Sequence, residues 1–250
     1  MTIGPSGQIE REIAHSRVIS HMDTEKIWGW KTPAGQLRAE RRAQMISESA
    51  RLGPGIRALE IGCGTGLFTE IFAGTGAQII AVDISMELIE KARSRRLPEN
   101  QVIFLEKRFE DCDVDGPFDA VIGSSVLHHL DIKAALAKIY ELLKPGGIMS
   151  FAEPNMLNPQ IMLQKNIPWL KRRMGDSPDE SAFTRRQLRH LLQNAGFVKV
   201  TVLPYDWLHP NTPVSLIKPV AKAGRILEKL SIIREFAGSL HISAARPLTH

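Results

Sequence analysis

Three glycines at alternate positions, Gly62, Gly64 and Gly66, follow the run Ala58-Leu59-Glu60-Ile61, with Cys63 inside the turn and a carboxylate at its entrance. Glycine there permits positive φ and uncovers backbone N–H groups, so a ligand can lie against the chain. The spacing restricts which ligand. A dinucleotide turn reads G-x-G-x-x-G, and here Leu67 stands where its third glycine would be. No Lys-Ser or Lys-Thr pair completes a phosphate loop, and Glu60 would repel a pyrophosphate. Either a cationic or zwitterionic ligand rests there, or the glycines merely close a strand-to-helix corner. Two further chemical groups stand at comparable places: Asp83 after the next apolar run, and the pair His128 and His129 after the fourth.

The elements that must position these residues alternate. Short β-branched runs at 57–61, 78–82, 101–105, 118–123 and 148–152 are separated by helical periodicity at 67–73, 85–96 and 132–143, the pattern of βαβ units and a parallel sheet. Asp131 can cap the last helix, and Lys144-Pro145-Gly146-Gly147 supplies its stop. A further helix capped by Thr184 and a strand at 197–203 follow, and 239–245 reads as a last strand pairing with that neighbour as an antiparallel edge. Helices broken around residues 28–35 precede the sheet, and irregular segments at 155–181 and 204–235 interrupt it.

Composition bounds the class. With 250 residues, 43% apolar and 24% charged, the chain can bury one sizeable core with appendages. No window approaches about eighteen uninterrupted apolar residues, and no apolar signal region stands near the N-terminus, so the expected location is cytoplasmic. Cys63 and Cys112 lack ligand-like spacing, which argues against a disulfide framework or a zinc site. A formal charge of +5 mildly favours acidic ligands without the dense basic stripe of a nucleic-acid binder.

Glu60-x-Gly62-x-Gly64-x-Gly66 with Asp83 one strand later resembles the first two motifs of class I S-adenosylmethionine-dependent methyltransferases. The likeness extends over about residues 57–152, through Phe118-Asp119-Ala120-Val121, Val126-Leu127-His128-His129-Leu130 and Leu143-Lys144-Pro145-Gly146-Gly147, and is closest to the small-molecule branch. It implies a Rossmann-like α/β fold: a seven-stranded, mostly parallel sheet with helices on both faces and an antiparallel last strand. It also implies a helical lid at 1–53 and a cofactor-binding domain at 54–250, carrying substrate-side insertions at about 155–181 and 204–235.

The resemblance assigns roles. Asp83 accepts from the ribose hydroxyls, unless it only caps the helix from Ser85. Glu60 helps receive the methionine ammonium, the turn Gly62, Cys63, Gly64 and Gly66 lies beneath the cofactor, and Ile84 packs the adenine. The family's acidic adenine contact is replaced by Lys107-Arg108-Phe109-Glu110-Asp111, so Glu110, or Asp111 in a shifted register, takes that place beside the Phe109 N–H. Ser124 and Ser125 lie under the methionine part. Arg38 clamps its carboxylate, and Trp28 and Trp30 either cover the sulfonium or serve as packing. His128 or His129 takes a proton from an oxygen acceptor, or pins the loop.

Catechol-type relatives place metal carboxylates after both the fourth and fifth strands. Glu153 meets half of that requirement, so no metal is expected. The acceptor is expected to be a small molecule, such as a metabolite, a quinone, a lipid-linked precursor or a sugar derivative. RNA methylation lacks a recognisable binding module here, a cofactor-binding protein without turnover is a third reading, and hydride transfer conflicts with the glycine spacing. The amphipathic segment 214–230, apolar on one side and lysine-rich on the other, packs on its own domain, joins a monomer into a homodimer, or touches a membrane surface.

Overall fold

The computed structural model describes residues 18–173 and 181–248; those parts of the expected lid and first insertion that fall on 1–17 and 174–180 lie outside the described residues. Seven strands form one sheet in the order β3-β2-β1-β4-β5-β7-β6. They are β1 (Arg57–Ile61), β2 (Gln78–Asp83), β3 (Val102–Glu106), β4 (Phe118–Ser124), β5 (Leu143–Pro154), β6 (Val198–Tyr205) and β7 (Ser239–Ala245). Strand order reverses between β1 and β4, and ligands of open parallel sheets bind in the crevice beyond such a reversal. The registers Ile61↔Val82, Asp83↔Glu106, Ile61↔Gly123 and Ser124↔Ala152 bring the ends of β1 to β5 to one edge.

The sheet is buried on both faces. Leu59, Ile61, Val82 and Val121 pack toward Leu136, Ile139, Leu188 and Leu192, which lie on α5 (Ile132–Leu142) and α8 (Arg185–Asn194). Ala58, Ala81, Ala120 and Ile122 face Ala39, Ala43, Ile46 and Ala50 of α2 (Pro33–Ala50), whose small side chains let it approach the strands closely. Caps stop and start these helices as the residue types require: Asp131 accepts from Lys133 N and Ala134 N at 3.0 and 3.2 Å, and Thr184 accepts from Gln187 N at 3.2 Å. Between β1 and β2 lies α3 (Leu67–Ala73), and between β2 and β3 lies α4 (Met86–Arg93). A short turn α1 (Thr24–Ile27) precedes α2, broken from it at residues 28–32.

Two expectations are corrected. β7 is not at the edge: it inserts between β5 and β6, antiparallel to both, and β6 becomes the outer strand. The reason is burial, since Ser239 to Ile242 are all buried and an edge position would leave one side of their ladder unpaired. The segment expected to be irregular after β5 contains α6 (Pro159–Asn166) and α7 (Pro168–Arg173). The amphipathic helix expected within 214–230 is present as α9 (Val214–Leu227).

β7 also fastens α2 to the sheet. His241 Nε2 lies 3.1 Å from Ser49 Oγ and 3.4 Å from Ser150 Oγ, and the two hydroxyls are 2.6 Å apart. Burial pushes the His241 imidazole down to about 4, so the unfolded chain binds a proton there before the folded one does. Stability is therefore full above the ordinary histidine value and falls as pH drops toward about 4. Between pH 6.5 and 5 the loss is expected to be roughly 1.6 kcal/mol. Urea unfolding of wild type and His241→Asn at both pH values checks this, and equal losses in the two proteins would reject it.

Candidate functional site

The glycine turn adopts the conformation its composition anticipates: φ is +68° at Gly62, +54° at Gly64 and +76° at Gly66. Its N–H groups, however, are not open to a ligand. Gly62 N and Cys63 N both donate to Val82 O, Gly64 N donates to Asp83 Oδ2 at 2.8 Å, and Gly66 N donates to Cys63 O. The missing side chains admit protein neighbours instead. A Cβ at Gly62 would meet Val126 at 2.5 Å, one at Gly66 would meet Ala92 at 2.9 Å, and one at Gly64 would lie 3.2 Å from the edge of Trp28. The turn is thus a rigid, glycine-thinned shelf with an aromatic ring above it.

Two carboxyl groups flank this shelf. Glu60 is buried and its Oε2 has no hydrogen-bond partner among the described residues; burial, opposed by the nearby Thr69 hydroxyl and reinforced by the Asp83 charge, pushes it up to about 8. Asp83 terminates β2, where Oδ2 holds Gly64 N and Oδ1 accepts from Ser85 N at 3.0 Å. Each oxygen keeps a second acceptor position. Burial raises the Asp83 carboxyl as well, against the lowering effect of those backbone donors. The cap of α4 is Ser85 itself, accepting from Leu88 N, so capping does not occupy Asp83.

On the β3 side, Ile84 is half-buried and Phe109 is buried at the start of a short 3-10 turn. Glu110 is half-buried and paired with Arg108 at 3.4 Å, whereas Asp111 is exposed and paired with the same guanidinium at 3.3 Å.

The β4 side holds a residue that sequence reasoning missed. Arg42, only 4% exposed, donates to Ser124 Oγ at 3.2 Å, Ser125 Oγ at 2.8 Å and Ser239 Oγ at 2.8 Å, and lies 5.1 Å from the centre of Trp30. It pairs with no carboxylate among the described residues, and its Nε has no hydrogen-bond partner. Arg38, expected at the cofactor's carboxylate, forms an ion pair with Asp206 at 2.8 Å instead. Trp30 is enclosed by Arg38, Arg42 and the edge of Phe68, which makes it a packing residue. Trp28 is the tryptophan that stands over the turn. Its segment is strapped down by Glu25, which accepts from Thr65 Oγ1 at 2.8 Å and pairs with Arg95.

Beyond β4 the two histidines separate in role. His128 is buried, and its Nδ1 lies 2.5 Å from Glu153 Oε2. Oε1 of Glu153 accepts from Val126 N at 3.0 Å and Leu127 N at 2.9 Å, so this carboxylate at the end of β5 builds the loop. Burial alone would raise the Glu153 carboxyl; the charge and hydrogen bond of His128 and the two backbone donors outweigh it and hold it below its ordinary value. His129 is half-buried, its ring 4.2 Å from that of His128. Among the described residues no cluster of three or more His, Cys, Asp or Glu could hold a metal ion.

Residues 37–202 match a family model described as a methyltransferase domain. The chain belongs to that family. As a methyltransferase-domain protein it is 38% identical over 125 residues to a ubiquinone biosynthesis O-methyltransferase of Xanthomonas axonopodis pv. citri (strain 306), covering 48% of this chain and 52% of that protein. The chain thus spans about half the length of these Xanthomonas relatives. It is also 30% identical over 215 residues to the O-methyltransferase cnsE of Penicillium expansum, covering 80% and 75% of the two chains. The fold is that of the N-methyltransferase NodS from Bradyrhizobium japonicum WM9, solved with S-adenosyl-L-homocysteine: the TM-score is 0.62 at 16% identity, over 94% of this chain and 98% of NodS.

Proposed function

We propose that this methyltransferase moves a methyl group from S-adenosylmethionine to an oxygen of a small-molecule acceptor. The observation that carries the reading is two buried, incompletely satisfied groups beside neighbouring strands: Glu60 of β1 with its orphaned Oε2, and Arg42, which reaches from α2 to Ser124 at the end of β4 and has no carboxylate partner among the described residues. A buried polar group without a partner is costly, and an amino-acid zwitterion would satisfy both at once, its ammonium drawing the Glu60 carboxyl into the ionised form. Arg42 would hold the carboxylate, Glu60 the ammonium, and Asp83 the ribose hydroxyls. Ile84, Phe109 and Glu110 would border the adenine.

The bound sulfonium supplies the activated methyl group. The chain's own task is alignment and exclusion of water. Trp28 closes over Gly64, and the short segment that carries it, from Thr24 to Thr32, serves as the cover held by Glu25 and Arg95, whereas α2 is part of the core. His128 is committed to Glu153 and orients the loop, leaving His129 to take the acceptor's proton on a ring nitrogen. The names of the two O-methyltransferase relatives support oxygen as the acceptor atom. Both cysteines are free and buried, which supports a reducing, cytoplasmic setting; no helix among the described residues is long and apolar enough to cross a membrane.

Two measurements test the reading. In calorimetry with S-adenosylhomocysteine, Asp83→Ala is expected to weaken binding by about 1–3 kcal/mol through lost charge-assisted hydrogen bonds; unchanged affinity would remove the ribose from Asp83. Methyl-labelled S-adenosylmethionine offered with a panel of phenols and catechols should place label on oxygen. Tight cofactor binding with no transfer to any nucleophile would leave only a binding protein.

A further inference from the structure

We infer that α9 and the turn after it dock this protein onto an anionic phospholipid surface. The inference stands on the outer surface alone and is independent of the acceptor proposed above. At about 100° per residue, the apolar side chains of α9 fall into two stripes rather than one. The first faces inward: Ile217 is buried with Ala34 and Leu208, Val220 packs on them, and Gly224 meets Trp207. The second faces water, where Leu216 is 50% exposed, Ile226 55% and Leu230 44%. The chain then runs directly into Ile232, Ile233 and Phe236, which are 80%, 39% and 44% exposed. A helix that has already satisfied its core therefore carries a second apolar strip with nothing against it among the described residues.

A third stripe, Lys218, Lys222, Arg225 and Lys229, flanks the exposed apolar one, and none of the four forms an ion pair among the described residues. The acids nearby are already committed. Glu228 accepts both terminal nitrogens of Arg41 at 2.9 and 2.6 Å and the N–H of Asp206 at 2.9 Å, and Glu235 pairs with Arg185. Exposed aliphatic side chains beside unpaired cations match the acyl boundary and phosphates of an anionic bilayer. A second copy of the chain fits worse, because a twofold contact through this face would set the lysine stripe against itself.

Flotation with vesicles tests the assignment, using phosphatidylcholine mixed with phosphatidylglycerol against phosphatidylcholine alone, at low and moderate salt. Wild type should float with the mixed vesicles, less at moderate salt, and not with the neutral ones. Lys222→Glu/Lys229→Glu should lower partitioning on the order of 30-fold or more, and Ile226→Ser/Ile232→Ser should also abolish most of it. The matched control Lys133→Glu/Arg189→Glu, on exposed cations elsewhere, should float like wild type, and all variants should melt with wild type. Absence of flotation at low salt overturns the proposal, as does equal loss in the control. Concentration-dependent dimers that the α9 variants dissolve would assign the face to a second copy and overturn it too.

Discussion

Glu153→Ala is expected to destabilise the folded chain by about 3–5 kcal/mol, the cost of breaking one member out of a buried, hydrogen-bonded charge pair. The carboxylate is fully buried and serves three donors: Val126 N, Leu127 N and the His128 ring. Alanine removes the carboxylate acceptor from all three, and each lost buried bond costs roughly 1–3 kcal/mol before the loop relaxes. Glu153→Gln keeps the shape and one carbonyl acceptor, so its loss should be clearly smaller. Urea unfolding at neutral pH reads both, and an alanine variant within about 1 kcal/mol of wild type would contradict the role assigned to this residue. The pH direction follows from the carboxyl lying below its ordinary value. Its contribution is complete above the ordinary carboxylate range and is lost as acid titrates the folded form, so it drives acid unfolding.

Cofactor affinity is expected to climb with pH and to level off near Glu60's value of about 8. At pH 7 the ligand-free carboxyl is mostly protonated, whereas an incoming ammonium favours the ionised form, so binding expels a proton. Below the plateau the affinity for S-adenosylhomocysteine should rise about tenfold per pH unit, the slope of one linked proton. Calorimetry from pH 6 to 7.5 in buffers of different ionisation enthalpy should show both the slope and the released proton. Glu60→Gln should abolish both. A flat profile in wild type would mean that no ligand cation approaches this acid. For folding, the sign is opposite to that of Glu153: a raised carboxyl favours the folded state most below the ordinary range, and that advantage fades as pH rises toward 8.

The parts of the site that were legible in the sequence are those made within one strand-turn-helix unit. Gly62, Gly64, Gly66, Glu60 and Asp83 declare themselves because strand ends and turn conformations depend on neighbours in the chain. Arg42 was hidden by its close neighbour Arg38, four residues earlier on the same helix. The signal was present, since Ala39, Ala43, Ile46 and Ala50 mark the buried side of α2 and Arg42 falls within it, but an arginine on such a side looks like an interruption until its serine partners are known. In the sequence Glu153 meets half of a metal requirement and nothing more, because its partners come from a loop some 25 residues earlier. The interior place of β7 and the second apolar stripe of α9 depend on what the rest of the molecule covers, which local periodicity does not encode.

α2 presents consecutive arginines to opposite ends of the protein's business: Arg41 grips Glu228 of the outermost helical segment, and Arg42 grips the serines beneath the crevice. One peptide unit separates the two grips. An ion pair at the outer surface and a buried serine cluster thus share one stretch of helix backbone that does not pass through the sheet.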